Sequence, residues 1–299
     1  MKLFRFGQPG AERPGVVLPD GTAVDASGFG GDWNESFFGD GGLERLARWI
    51  AHDGGSAPRV PAGARFASAV ARPSKLICIG LNYRDHAAET GAQIPSEPII
   101  FFKSTTALAG PLDDLPLPHA SEKTDWEVEL GVVIGRRSRY VDRRAALEHV
   151  AGFVLHNDYS ERAFQIERGG QWVKGKSADG FAPLGPYLVT PDEFRGHGAV
   201  RLWLKVNGVM EQDGNTSNLI FDVPTLVAYV SRFMTLLPGD VISTGTPAGV
   251  GMGKKPPRYL RVGDVVEYGI DGLGEGRQRI VAPEGPALDA ATLEARWRS

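Results

Sequence analysis

Cysteine is almost absent: Cys78 is the one thiol among 299 residues. A single thiol excludes a disulfide framework and a cysteine-rich zinc site. It lies in Lys75-Leu76-Ile77-Cys78-Ile79-Gly80, a short apolar strand, so a buried inert thiol is expected there and not a nucleophile. Charge of one sign is also lacking. With 33 Lys and Arg against 36 Asp and Glu, the net charge is -3 and the pI is about 6.1, which offers nucleic acid no basic field. No apolar run is long enough to span a membrane. Met1-Lys2-Leu3-Phe4-Arg5-Phe6-Gly7 lacks the apolar core of a signal peptide, so the cytoplasm is the expected compartment. Internal repeats and low-complexity runs are missing too. The glycine-rich Ser243–Gly253 stretch is not a dinucleotide fingerprint, because Lys254-Lys255-Pro256-Pro257 stands where a helix should begin. It also lacks the Gly-Lys-Ser/Thr end of a phosphate-binding loop.

What remains is an ordinary globular composition, 42% hydrophobic and 23% charged, in a chain long enough for one large domain and a small one. Residues 1–72 read as a small leading domain and residues 73–299 as the catalytic one. Val16-Val17-Leu18, the Pro19-Asp20-Gly21 turn and Thr22-Ala23-Val24 predict a hairpin. Leu43, Leu46, Ala47 and Ile50 form one helical stripe, and the Gly- and Pro-rich 54–63 stretch reads as a linker. Further on come strands and glycine turns: a hairpin about Asn207-Gly208, a helix from Val223 to Leu236, and strands at 241–245 and 264–268. The predicted class is mixed α+β and strand-rich, without regular βαβ alternation.

The most informative segment is Lys123–Gly135. Trp126, Val128 and Leu130 alternate with polar neighbours, which predicts one strand with Glu127 and Glu129 on the same face. Two adjacent carboxylates repel, and the usual reason to build such a pair on an apolar strand is a cation. A solvated strand face is the alternative. A second strand is expected at 152–157, followed by Asp158 and a helix start at 160–165. Glu127, Glu129 and Asp158 make a hard, all-oxygen set that suits Mg²⁺, Mn²⁺ or Ca²⁺ and not zinc. Asp158 could also cap the helix, with Glu161 three residues on. His156 is the weaker ligand candidate and reads as a packed histidine.

Proton chemistry has its own candidates. In Tyr83-Arg84-Asp85-His86-Ala87-Ala88-Glu89, a helix would put His86 and Glu89 on one face. A carboxylate beside imidazole orients the ring and raises its basicity, as a general base needs. A surface ion pair is the alternative. Gly91 and Pro95 follow and suggest a mobile lid. Lys176 could bind a carboxylate or enolate as a point charge, or be a solvated loop lysine. Thr246 and its neighbouring amides could cradle an anion.

Together these motifs resemble the fumarylacetoacetate hydrolase family. The resemblance covers roughly residues 73–283. It rests on Leu81-Asn82-Tyr83-x-x-His86-x-x-Glu89, Asp125-x-Glu127-x-Glu129-Leu130, Asn157-Asp158-Tyr159-Ser160-Glu161-Arg162, Lys176 with Pro183 seven residues on, and Thr244-Gly245-Thr246-Pro247-x-Gly249-Val250. Glu161–Gln165, Arg168–Trp172 and Gly272-Leu273-Gly274-Glu275 are similar to the bacterial 2,4-diketo-3-deoxy-sugar-acid (rhamnonate/fuconate) hydrolase branch. Ala178-Asp179-Gly180 departs from the Asp-Thr expected in that loop. The resemblance implies a β-roll fold, a homodimer and a divalent metal held by Glu127, Glu129 and Asp158. It implies a water-activating dyad of His86 and Glu89, a substrate-binding Lys176, and a pocket lined by Arg162, Gln165 and Thr246. The implied reaction is hydrolysis of a 2,4-diketo acid or acylpyruvate to pyruvate and a smaller acid, with Mg²⁺ or Mn²⁺ as cofactor. The same metal enolate would also serve oxaloacetate decarboxylation, keto-enol isomerisation or sugar-acid dehydration. A non-catalytic metal-binding protein is the alternative of another class.

Overall fold

The computed structural model describes residues 1–286 and 288–298. Three strands open the chain, β1 (Lys2–Phe6), β2 (Arg13–Val17) and β3 (Ala23–Asp25), followed by helices α1 (Glu35–Gly39) and α2 (Gly42–His52). The expected hairpin forms, with Val17 opposite Ala23. α2 turns Leu46 of its apolar stripe inward. The 54–63 stretch is more than a linker. Arg59 bridges Val24, and the Val60 N–H donates to the Ala23 carbonyl at 3.0 Å.

Next come β4 (Leu76–Gly80), α3 (Arg84–Thr90), β5 (Ile99–Lys103), β6 (Leu108–Ala109), β7 (Leu115–Pro116), β8 (Thr124–Asp125) and β9 (Val128–Ile134). They lead to β10 (Val150–Asn157), β11 (Ser160–Glu161), α4 (Arg162–Ile166), α5 (Val173–Lys176) and β12 (Ala182–Val189). The last third holds β13 (Arg201–Val206), β14 (Val209–Asn215), α6 (Val223–Phe233), β15 (Val241–Ser243), β16 (Val265–Ile270), β17 (Gly274–Val281) and α7 (Ala290–Arg298). At Asn207-Gly208 both residues have positive φ, 52° and 78°, which gives the two-residue turn whose twist matches its strands.

One sheet runs β3-β2-β1-β12-β10-β9-β15-β4-β5, with β6 added beside β12. Residues 1–72 thus supply three strands to the same sheet, because β1 pairs with β12 (Leu3 opposite Leu188). A second sheet, β14-β13-β16-β17-β7, packs against the first through β12 with β17 and β9 with β13. Every residue of β9 and β10 is buried, so both faces of these central strands lie in the core, and Glu129, the acid they carry, faces no open solvent. Among the described residues no helix is long and apolar enough to cross a membrane.

The 123–135 segment is not one strand. It breaks at Trp126-Glu127: β8 pairs with β11, and β9 pairs with β10 and β15. The break is held by hydrogen bonds that the ladder does not supply. Asp125 accepts from the Trp126 N–H (2.8 Å), Asn157 accepts from the Glu127 N–H (2.9 Å), and the Glu127 carbonyl accepts from the Asp158 N–H (2.8 Å).

Candidate active site

The break in the strand brings Glu127 to the end of β10, where Asp158 follows. One carboxylate oxygen from each of Glu127, Glu129 and Asp158 lies within 4.8 Å of the others, all buried. Asp158 does not cap α4; Glu161 does, accepting from the Ala163 N–H at 3.1 Å. Asp158 instead accepts from Lys103 and from Lys176 (2.9 Å). Glu127 accepts from Lys176 (2.7 Å) and from Arg162 (2.6 Å). Lys176 is 2% exposed at the end of α5 and so is no solvated loop residue. Gly175 makes this possible: a Cβ there would sit 2.4 Å from the Glu161 carbonyl oxygen and 2.5 Å from the Gln165 nitrogen.

Burial alone would raise all three carboxyls. At Glu127 the nearby Arg162 and Lys176 outweigh it and hold the group below its usual range. At Asp158 Lys103 and Lys176 do the same. Glu129 has no such partner. Burial, then Asp158 and Glu127, push its carboxyl well above the ordinary value. Its Oε2 accepts from the Ser243 hydroxyl (2.5 Å) and the Gly245 N–H (2.9 Å), but no lysine or arginine among the described residues pairs with it. The cluster is therefore short of positive charge on the Glu129 side, and its donors are hard oxygens. Both properties fit a divalent cation of the Mg²⁺ or Mn²⁺ kind.

His156 stays outside this set. The Ser243 proton goes to Glu129, so the 2.7 Å contact between His156 Nδ1 and the Ser243 oxygen puts the imidazole proton on Nδ1. Burial pushes the His156 pKa down to about 3, which keeps the ring neutral.

His86 and Glu89 share a face of α3, as expected, with His86 Nδ1 3.3 Å from the Glu89 carboxylate. Burial opposes the Glu89 charge, but His86 and the Gly249 N–H (2.9 Å) outweigh it and lower its pKa. The start of α3 is anchored by Asn82. Its amide donates to the Phe221 and Thr244 carbonyls (3.0 and 2.7 Å) and its oxygen accepts from the Phe221 N–H (2.8 Å). Leu81, just before it, takes a left-handed φ of 50°, a strained conformation for a non-glycine residue at the cavity wall. A cavity of about 220 Å³ brings His86, Glu127, Glu129, Arg162, Gln165, Lys176 and Thr246 to one surface, with Asp158 fully buried beneath. Of the nine residues expected at the site, Glu89 supports His86 from behind; the others line or floor the cavity.

The sequence pattern of the fumarylacetoacetate (FAA) hydrolase C-terminal family matches residues 75–281. The chain belongs to the fumarylacetoacetate hydrolase family. A Burkholderia multivorans protein designated a hydrolase is 51% identical over 279 residues, covering 93% of this chain and 98% of that one. Maleylpyruvate hydrolase from Sphingobium sp. SYK-6, solved with manganese(II) and pyruvate, is 30% identical with a TM-score of 0.78, covering 95% of this chain and 100% of that one. The 2-hydroxyhepta-2,4-diene-1,7-dioate isomerase of Mycobacterium marinum is also 30% identical, with a TM-score of 0.71 and coverage of 95% and 100%. The mixed, strand-rich architecture is thus the fold of this hydrolase family.

Two residues of this family member received no role from the sequence reading. Lys103 ends the apolar run Ile99-Ile100-Phe101-Phe102 and is 3% exposed; a lysine closing an apolar strand was the available signal. Asp125 binds the Arg162 Nε (2.9 Å) and the Gly251 and Met252 N–H groups (2.7 and 3.0 Å), so it positions both the guanidinium and the 244–252 loop.

Proposed function

We propose that this protein is a metal-dependent hydrolase that cleaves the C3–C4 bond of a 2,4-diketo acid, releasing pyruvate and a smaller acid. The observation that carries the reading is that one cavity holds both an acid triad fit for a divalent cation and a carboxylate-backed imidazole. Glu127, Glu129 and Asp158 would hold Mg²⁺ or Mn²⁺, which when bound supplies a Lewis acid for the keto oxygen and the enolate. The manganese and pyruvate of the Sphingobium relative support both the ion and the product.

The chain's own residues do the rest. The Nδ1–H of His86 donates to Glu89, which leaves Nε2 as the proton acceptor. Nε2 takes a proton from water as the water oxygen attacks C4. The C3–C4 electron pair passes to C3, whose enolate is protonated to pyruvate. Lys176 offsets the charge that develops on oxygen. Arg162, tied to Asp125, Gln165 and Glu127, fixes the cavity floor. Acylpyruvates and 2,4-diketo-3-deoxy sugar acids are the two substrate groups that the sequence resemblance brings forward. Isomerisation is the second reading, supported by the Mycobacterium marinum relative, and would use His86 to move a proton without water.

The test is pyruvate release from a panel of 2-keto and 2,4-diketo acids. EDTA should abolish it, Mg²⁺ or Mn²⁺ should restore it, and Glu129→Ala should lose both bound metal and turnover. Full turnover in a chelated Glu129→Ala sample would sink the metal assignment. Double-bond migration without pyruvate would make the isomerase reading the better one.

A further inference from the structure

The cavity has two unlike ends. At one end lie the acids, Arg162 and Lys176. Much of the remaining lining is apolar: Ile79, Leu81, Phe101, Ile166, Trp172 and Met252. Trp172 and Phe101 meet edge to face, with centroids 5.3 Å apart and planes at 65°. Gly80 lets the indole close against β4, since a Cβ there would lie 2.8 Å from a ring carbon of Trp172. A substrate that places its 2-keto acid head on the acids has mainly these residues to lay its tail against.

That tail meets few free donors among the described lining residues, the Gln165 amide and the Trp172 indole N–H. Both lining cations are committed at the acid end. Arg162 donates to Asp125, Gln165 and Glu127 (2.9, 3.1 and 2.6 Å). Lys176 donates to Glu127 and Asp158 and sits 4.8 Å above the Phe101 ring. The lining hydroxyls of Thr90 and Thr246 donate to the His86 and Val128 carbonyls, both at 2.9 Å. A distal carboxylate would meet no uncommitted cation among the described lining residues. A polyhydroxylated tail would exchange water for hydrocarbon at most of its oxygens.

The geometry points to an uncharged, apolar tail, that of an alkyl- or aryl-acylpyruvate, selected by the Trp172 and Phe101 wall. This rests on the 2,4-diketo acid reading of the same site and decides between its two substrate groups. It places Trp172 as the specificity-determining residue.

The test separates binding from turnover. Simple 2-keto acids lack the C4 carbonyl and cannot undergo the cleavage, so calorimetry on Mn²⁺-loaded protein reads tail preference alone. From 2-ketobutyrate through 2-ketohexanoate to 2-ketooctanoate, affinity should rise about four-fold per added methylene. 2-Ketoglutarate and a 2-keto-3-deoxy sugar acid should bind no better than 2-ketobutyrate. In Trp172→Ala the dependence on length should flatten, with Mn²⁺ content and pyruvate affinity unchanged; Trp172→Phe should keep most of it. Tighter binding of the charged or hydroxylated tails, an unchanged slope in Trp172→Ala, or no binding by any member would overturn the inference. A retained slope with no cleavage of any 2,4-diketo acid would defeat the hydrolase reading and leave the tail assignment standing. Preferred cleavage of the sugar acid would do the reverse.

Discussion

At the scale of single residues, His86 and the acid triad have separable duties. The imidazole reaches the cavity from α3 and is held by Glu89, whereas the three carboxylates come from β9, the break before it and the residue after β10. Removing the ring therefore leaves the three carboxylates in place. His86→Ala should retain its metal and its affinity for 2-keto acids, while single-turnover cleavage falls by about 10²–10⁴-fold, the usual contribution of a positioned base. If the rate survives with metal bound, cleavage through this dyad is wrong. The triad itself was legible because hard-ligand acids at 127, 129 and 158 have little other reason to sit in apolar strands. What could not be read was which cations answer them. Lys103 and Asp158 are 55 positions apart and meet only because β4 carries β5 to the site's side of the sheet.

At the scale of elements, periodicity served well where burial has one face and poorly where it has two. The α2 stripe and the hairpin at Asn207-Gly208 stand where expected, and α6 starts at Val223 as expected but ends at Phe233, short of the expected Leu236. The break at Trp126-Glu127 was invisible, because β8 and β9 are buried on all sides and their apolar pattern runs straight through it. The side chains of Asp125 and Asn157, taking the Trp126 and Glu127 N–H groups, hold it. The α5 helix is likewise placed by contact and not by propensity. It has four residues and presses on α4 at Gly175. Gly175→Ala should force the two apart. We expect a loss of about 1–3 kcal/mol in denaturant unfolding, together with a loss of turnover as the Lys176 ammonium leaves Asp158. Unchanged turnover would show that Lys176 does not need this seat.

At the scale of the whole molecule, the large sheet ends at β5, an edge strand whose Phe102 is 38% exposed. Such edges are usually covered. We expect a homodimer that covers this edge through the catalytic region; light scattering showing only monomer at micromolar concentration would count against it. One loop has the widest reach in the molecule. Between 244 and 252, backbone amides grip the site: Gly245 holds Glu129, Gly249 holds Glu89, and Gly251 with Met252 holds Asp125. Added Cβ atoms would fall 1.9 Å from the Glu211 carbonyl oxygen at Gly249 and 2.0 Å from that of Arg258 at Gly251. Base and acids thus share a fastening that exchange of the neighbouring side chains leaves in place. A side chain introduced at Gly249 or Gly251 should therefore disturb the support of the proton acceptor and the seat of the acids together.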